Sequence, residues 1–466
     1  MASIQFLGAA RNVTGSRFIL RTDESCLLID CGLFQERKLR SRNWDDFPVP
    51  PREIDAVVLT HAHIDHCGYL PKLVREGFSG KIFCTPPTAA IAQVALLDSA
   101  KIHEEDAAYK KRRHRKEKRK GPHPEVPLYT VKDAEAVLPM LETVPYHQSR
   151  ELTPSARVIF HDAGHIIGSS CLELRIKGGG EEKKLIFSGD LGRLNNPLLN
   201  DPERFEEADY IFVESTYGDR LHESGPEAIE TLEKGIAETA HSGGNVVIPT
   251  FAIERAQELL YFIKQLMEEE KIPRLDCFID SPMAINITEV YSSFTGYLDH
   301  INFNGENNDG SPFSFPTLKI TRSADESKAI NQHRGSAIIM AGSGMCTGGR
   351  IKHHLVQNIG RPESTLLFVG YQAQGTLGRI LLEHPEEVRI LGNIHKVRAR
   401  IERINGFSAH ADRDELLGWL SAFKNPPRKL FIVHGEEESA LALAGSVREK
   451  FGWETVVPEY LETNEL

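Results

Sequence analysis

The chain has 466 residues, of which 40% are hydrophobic and 26% charged, and a formal net charge of −11. That length suits two or three domains rather than one small core, and the acidic balance argues against a protein that coats nucleic acid over its whole surface. No apolar run approaches the roughly 18 to 20 residues of a membrane span, and Met1 to Gly15 lacks a basic segment followed by a long apolar one, so neither export nor a membrane is expected. The seven cysteines are odd in number, scattered and free of any Cys-x-x-Cys pair, which favours a reducing cytoplasm over a disulfide framework or a thiolate zinc site.

In chain order, short apolar runs repeatedly end in a polar residue of catalytic type. Cys26 to Ile29 ends at Asp30, which is expected to hydrogen-bond backbone or a ligand histidine rather than bind metal. Ala56 to Leu59 leads into His61-Ala62-His63-Ile64-Asp65-His66, three imidazoles and a carboxylate in one turn. Such ligands suit borderline divalent cations, and their lack of thiolate resembles catalytic more than structural zinc. On an extended chain His61 and His63 share a side while Asp65 and His66 turn away, so two adjacent ions are a simpler reading than one. The alternative is a loop of four solvated polar residues.

From Lys110 to Lys120 nine of eleven residues are Lys or Arg, a contrast with the acidic chain that asks for an anionic neighbour. A solvated helix or loop explains the run equally well. Val158 to Phe160 precedes His161-Asp162-Ala163-Gly164-His165; the strand Leu172 to Ile176 turns through Gly178 to Gly180 into Leu185 to Phe187, which ends at Ser188-Gly189-Asp190; Tyr210 to Val213 ends at Glu214.

Strands and helices alternate from about 215 to 385. Helices are expected over Pro226 to Ala240, opened by Ser224, and over Ile253 to Glu270; strands at Val246 to Ile248, Cys277 to Ile279, Ala337 to Met340 and Leu366 to Val369; and a loop from Asn304 to Gly310. Finally Leu430 to Val433 ends at His434. Ligands in sheet proteins gather beyond one edge, where strand ends converge. Polar ends before 214 and after 395 therefore belong to one site, and the α/β unit is an insertion into a split catalytic domain: 1–210, 211–390 and 391–466. The cleft between the units is the natural place for substrate.

The run His61, His63, Asp65, His66 resembles the His-x-His-x-Asp-His signature of the metallo-β-lactamase superfamily, and His165 in DAGHIIGS and Asp190 in FSGDLG resemble its later ligands. Over nearly its full length the chain is similar to the β-CASP nucleases: Glu214 in VESTYG, the helix PTFAIERAQELL, DSPMA, SGMCTGGR, His410 in GFSAHAD and His434 in IVHGE. It looks like the short bacterial form related to the pre-mRNA 3′-end processing endonuclease. The resemblance implies an αββα sandwich with an inserted α/β β-CASP domain containing a parallel sheet.

The same resemblance implies two zinc ions, with manganese as an alternative, one held by His61, His63 and His165, the other by Asp65, His66 and His434, with Asp190 between them. A bridging hydroxide would attack phosphorus, His410 would protonate the leaving ribose oxygen, Glu214 would fix the tautomer of His410, and the products would carry 5′-phosphate and 3′-hydroxyl ends. Asp65 counts among the catalytic residues as well as the ligands. A histidine at the position of His434 is associated in this family with RNA, so the expected partner is single-stranded RNA, with a homodimer allowed and endonuclease or 5′ exonuclease action left open.

Arg255, Arg350 and Ser408 are candidates for phosphate contact, against a packing or capping role. His161, His353, His354 and His395 fit no pattern and are expected in the core or at the surface. Small-molecule hydrolysis and DNA cleavage are the alternative activities; the first needs neither the insertion nor the Glu214 and His410 positions.

Overall fold

A computed structural model of the chain describes residues 2–118, 125–178, 180–222, 225–299, 311–370, 372–404 and 406–466. Ser224, Lys120 and the loop from Asn304 to Gly310 lie outside these residues. The chain divides into two units, Met1–Leu221 with His410–Leu466, and His222–Ala409. Among the described residues no helix is long and apolar enough to cross a membrane.

The first unit holds two seven-stranded sheets. In the first, strand Thr463–Glu465 is followed by β1 (Ser3–Phe6), β2 (Phe18–Arg21), β3 (Cys26–Ile29), β4 (Ala56–Val58), β5 (Lys81–Cys84) and β6 (Leu141–Thr143). The second contains β7 (Ser149–Thr153), β8 (Ala156–Asp162), β9 (Ser170–Gly178), β10 (Glu181–Phe187) and β11 (Tyr210–Glu214), then the strands Lys429–Val433 and Thr455–Val456. One apolar core lies between the sheets, drawing Phe6, Leu27 and Val58 from the first and Val158, Leu174 and Phe212 from the second. The outer face of the second sheet is covered by helices Arg413–Leu420 and Glu437–Phe451, which bury Leu416, Leu420, Leu443 and Val447 against Ile186, Val213 and Ile432. The architecture is thus the αββα sandwich, and β11, apolar in four of its five positions and buried at all five, reads as a strand covered on both faces.

An aromatic ladder sets the register at the centre of the second sheet. Phe187, Phe212 and Phe431 are paired across β10, β11 and Lys429–Val433 and stack at centroid distances of 4.0 and 4.8 Å. Each contact adds about 0.5–1.5 kcal/mol beyond burial, and a slip of β11 by one residue would exchange Phe212 of the inter-sheet core with Ile211 and Val213 of the helix-covered face. The ladder therefore fixes where Asp190, Glu214 and His434 leave the sheet.

The second unit has a six-stranded parallel sheet of β12 (Val246–Pro249), β13 (Asp276–Asp280), β14 (Leu318–Ile320), β15 (Ala337–Ala341), β16 (Thr365–Val369) and, after the hairpin β17–β18 (Glu387–Ile390, Asn393–Lys396), β19 (Arg400–Ile404). Its order is β14-β13-β15-β12-β16-β19. Helix Ile351–Asn358 buries Ile351 and Leu355 against Val247, Leu366 and Phe368. The expected helices are present as Gly225–His241 and Arg255–Glu268. The return from the insertion was expected near 391, but β19 pairs with β16, so residues up to 409 belong to the second unit.

Candidate metal centre

Every strand end singled out in the first unit contributes to one cluster. After β4 the chain passes Thr60 and His61 in a buried turn, and His63 opens the short helix Ile64–Cys67 that lifts Asp65 and His66 away. This turn sits hard against residues 30–32: Cys31 N–H donates to the His66 carbonyl, and a side chain at Gly32 would place its Cβ 1.5 Å from the Asp65 carbonyl oxygen. Only glycine permits that approach.

Ligand atoms of His61, His63, His165 and Asp190 lie within 4.8 Å of one another, as do those of Asp65, His66 and His434. His63 Nδ1 is 3.0 Å from His61 Nε2 and 3.2 Å from His165 Nε2. Asp190 Oδ2 is 3.4 Å from His61 Nε2 and 3.6 Å from His165 Nε2; its Oδ1 is 3.3 Å from His66 Nε2 and 3.5 Å from His434 Nε2. A tetrahedral ion with bonds of about 2.0–2.1 Å separates its ligands by about 3.3 Å. Buried Asp190 Oδ1 makes no well-formed hydrogen bond among the described residues. Converging imidazole lone pairs around an ionised carboxylate are relieved by cations, so these residues fit metal.

The remaining ring nitrogens are held from behind. His66 Nδ1 is 2.8 Å from Asp30 Oδ2, and Thr60 donates to both oxygens of Asp30, through its backbone N–H at 2.8 Å and its hydroxyl at 2.9 Å. His61 Nδ1 is 3.1 Å from that hydroxyl. His434 Nδ1 is 3.0 Å from Ser16 Oγ, and Ser16 N–H donates to the Asp65 carbonyl. Such partners fix tautomers and turn the other nitrogen inward. Ser16 carries no signal in the sequence, being a lone serine 418 residues from its partner.

Protonation follows the same design. Burial lowers His61 well below its ordinary value, His63 to about 4 and His434 to about 3, so these rings are neutral. Burial opposes ionisation of Asp190, but His434, His66 and His61 hold it well below the carboxylate range. Burial raises Asp65 to about 6. His66 moves up, because Asp190 and Asp30 outweigh its burial.

Beside the cluster stands a His–Glu pair. Glu214, fully buried at the end of β11, accepts from Leu191 N–H at 2.7 Å and Thr216 N–H at 3.3 Å. Its oxygens lie 3.1 and 3.2 Å from His410 Nδ1. Burial alone would lower His410; the Glu214 charge overrides it and raises the imidazole to about 9. His410 is therefore cationic at neutral pH, with Nδ1–H donated to Glu214.

Arg255, Arg350 and Ser408 belong to the second unit. Arg255 is buried, pairs with Glu258 and lies 3.7 Å from Glu254. Arg350 donates to Asp280 Oδ1 at 2.7 Å and to the carbonyls of Thr321 and Arg322. Both guanidinium groups, candidates for phosphate contact or for packing, face acceptors of this unit. His354, which fitted no pattern in the sequence, is buried with Nε2 2.6 Å from Asp280 Oδ2. Ser408 is half-buried. In the first unit, Lys110 to Lys118 form the exposed end of helix Pro86–Glu117, with Arg113 paired to Glu117 and Lys110 to Asp106.

Residues 13–243 match the metallo-beta-lactamase superfamily, 256–381 the Beta-Casp domain and 394–458 the Zn-dependent metallo-hydrolase RNA specificity domain. The chain is 38% identical over 441 residues to ribonuclease TTHA0252 of Thermus thermophilus, with 94% of each chain covered. It is 31% identical to transcription termination factor FttA of Methanocaldococcus jannaschii, covering 98% of this chain and 71% of that one. The RNase J-like protein of the same archaeon is 31% identical, with 98% of both chains covered. A solved structure described as a protein of unknown function from Enterococcus faecalis covers all of both chains with a TM-score of 0.54 at 13% identity, a likeness of fold alone.

Proposed function

The chain belongs to the β-CASP ribonuclease family of the metallo-β-lactamase superfamily, and from that premise we propose that it is a zinc-dependent ribonuclease that hydrolyses single-stranded RNA to 5′-phosphate and 3′-hydroxyl ends. In this reading His61, His63 and His165 would hold one ion and Asp65, His66 and His434 the other, with Asp190 as a further ligand. When bound, such ions supply positive charge against phosphate oxygens and acidify water. As a water oxygen bonds to phosphorus and gives up a proton, the P–O3′ bond breaks and His410 delivers its Nε2 proton to the departing ribose O3′, while Glu214 keeps that imidazole protonated and oriented. Asp30, Thr60 and Ser16 keep the rings of His66, His61 and His434 in place.

The observation that carries the reading is the Glu214–His410 pair beside the ligand cluster, 3.1 Å apart and with His410 raised to about 9. A proton donor of this kind serves a poor leaving group such as an alkoxide. Small-molecule hydrolysis would use the same cluster, but the match of residues 394–458 to an RNA specificity domain favours RNA. The test is cleavage of end-labelled unstructured RNA by protein with its metal content measured. Cleavage should stop after chelation and return with zinc or manganese. Unchanged cleavage by metal-free protein would defeat the proposal.

A further inference from the structure

A second group of metal-ligating side chains lies in the first unit, outside the centre described above. His147 Nε2 is 3.2 Å from Glu203 Oε1, and His161 Nδ1 is 3.0 Å from Glu203 Oε2. One ligand atom from each of the three residues lies within 4.8 Å of the others. The two imidazoles stand 5.5 Å apart at 77°. The same near-perpendicular disposition relates His61 to His63 (4.8 Å, 83°), His61 to His165 (5.1 Å, 79°) and His63 to His165 (5.0 Å, 77°).

A purely hydrogen-bonded reading leaves a defect. If neutral His161 donates Nδ1–H to Glu203, its Nε2 becomes a buried acceptor with no hydrogen-bond partner among the described residues. If Nδ1 instead points its lone pair at a cation, Nε2 carries the proton and turns a positive edge rather than a lone pair toward the Glu173 carboxylate, which lies beyond hydrogen-bond distance at 3.8 Å and pairs with Lys184. The backbone is also committed to the arrangement. His147 adopts φ = 62°, a conformation that costs a non-glycine residue energy, and its N–H donates to the carbonyl of Phe160, next to His161.

We propose that His147, His161 and Glu203 form a further divalent metal site, of the two-histidine, one-glutamate type that zinc accepts with an open fourth position. The side chain of His147 is 62% exposed and that of Glu203 33%, so the site is open to solvent. The bound ion ties the turn after β6 to the end of β8 and to Glu203, whose backbone carbonyl accepts from Trp419 Nε1 in the helix that follows His410. Occupancy therefore braces the segments that lead to His165 and His410 without belonging to their chemistry.

The experiment is equilibrium dialysis of the full chain against zinc at several free concentrations, with bound metal counted by atomic emission, for the native protein, His147→Asn and Glu203→Gln. Asparagine tolerates the left-handed turn, so His147→Asn tests the ligand without disturbing the fold. Each variant should bind one zinc equivalent fewer than the native chain, cleave RNA at the native rate and lose the native chain's zinc-dependent rise in thermal midpoint. Equal zinc content in all three proteins overturns the site. So does loss from Glu203→Gln alone, or a loss accompanied by lost RNA cleavage, which would place the missing ion elsewhere.

Discussion

Glu214→Gln is the sharpest perturbation of the proposed chemistry, because it removes a charge while keeping an acceptor for Leu191 N–H. The carboxylate lies 3.1 Å from His410 Nδ1; at an effective dielectric of about 20 that contact is worth about 5 kcal/mol, nearly four pH units. Allowing for the amide that replaces it and for partial solvent access, a fall of about three units is expected, from about 9 to about 6. At about pH 8 the protonated fraction of His410 then drops from about nine-tenths to about one-hundredth, so cleavage should fall roughly 90-fold; at about pH 6 it should fall only about twofold. Single-turnover cleavage of labelled RNA across that range, with metal content checked, reads the difference directly. An equal loss at both pH values would show that Glu214 acts through geometry alone. Native activity at the higher pH would remove His410 as the proton donor.

His434→Ala should lower the metal content, and full metal with native cleavage would take it out of the ligand set; Ser16→Ala should weaken binding by roughly 10–100-fold, as loss of an outer partner does, measured by metal competition. Neutralising Lys111, Arg112, Arg115 and Lys116 on the exposed helix end should reduce the salt slope of RNA binding by about 0.7 for each phosphate that the helix no longer neutralises, and an unchanged slope would make that face solvated surface. Burial works against ionised Asp280, but hydrogen bonds from His354, Ser327, Arg350 and Thr321 hold it at about 2 against an ordinary 3.8. A folded-state value below the unfolded one stabilises above about pH 4, and the gain fades as pH falls through about 2. At neutral pH Asp280→Asn should therefore cost about 2.5 kcal/mol, seen as roughly 70-fold faster hydrogen exchange in β13 and β15. Unchanged protection would contradict that role for Asp280.

What could be read in the sequence was what is local or repeated. Four ligand-type residues in six positions declare themselves, and apolar runs ending in Asp190, Glu214 and His434 were visible because buried strands are continuous in apolar residues. The sheet order that makes neighbours of β11 and Lys429–Val433 follows from pairing over long separations, which no local pattern carries. Ser16 was invisible for the same reason. For Arg255 and Arg350 the sequence left phosphate contact and packing equally open; Glu258 lies one helical turn from Arg255, but Asp280 reaches Arg350 only through the fold. The extent of the second unit was misjudged at β19, whose short alternation of apolar and charged residues, RIERI, gives no hint of which sheet it joins.

The pairing of β11 with the strand Lys429–Val433 also sets a timetable for synthesis. Glu214 ends one strand and His434 directly follows its neighbour in the sheet, yet the two are 220 positions apart. At about 5–20 residues per second, a ribosome needs roughly 10–45 s to make the chain between them. For most of that interval His61 to His66, His165 and Asp190 have been made, while His410 and His434 have not. The nascent protein can therefore gather some of the proposed ligands but cannot assemble the His410–Glu214 pair, and the proposed chemistry stays incomplete until residues 410 and 434 have been made.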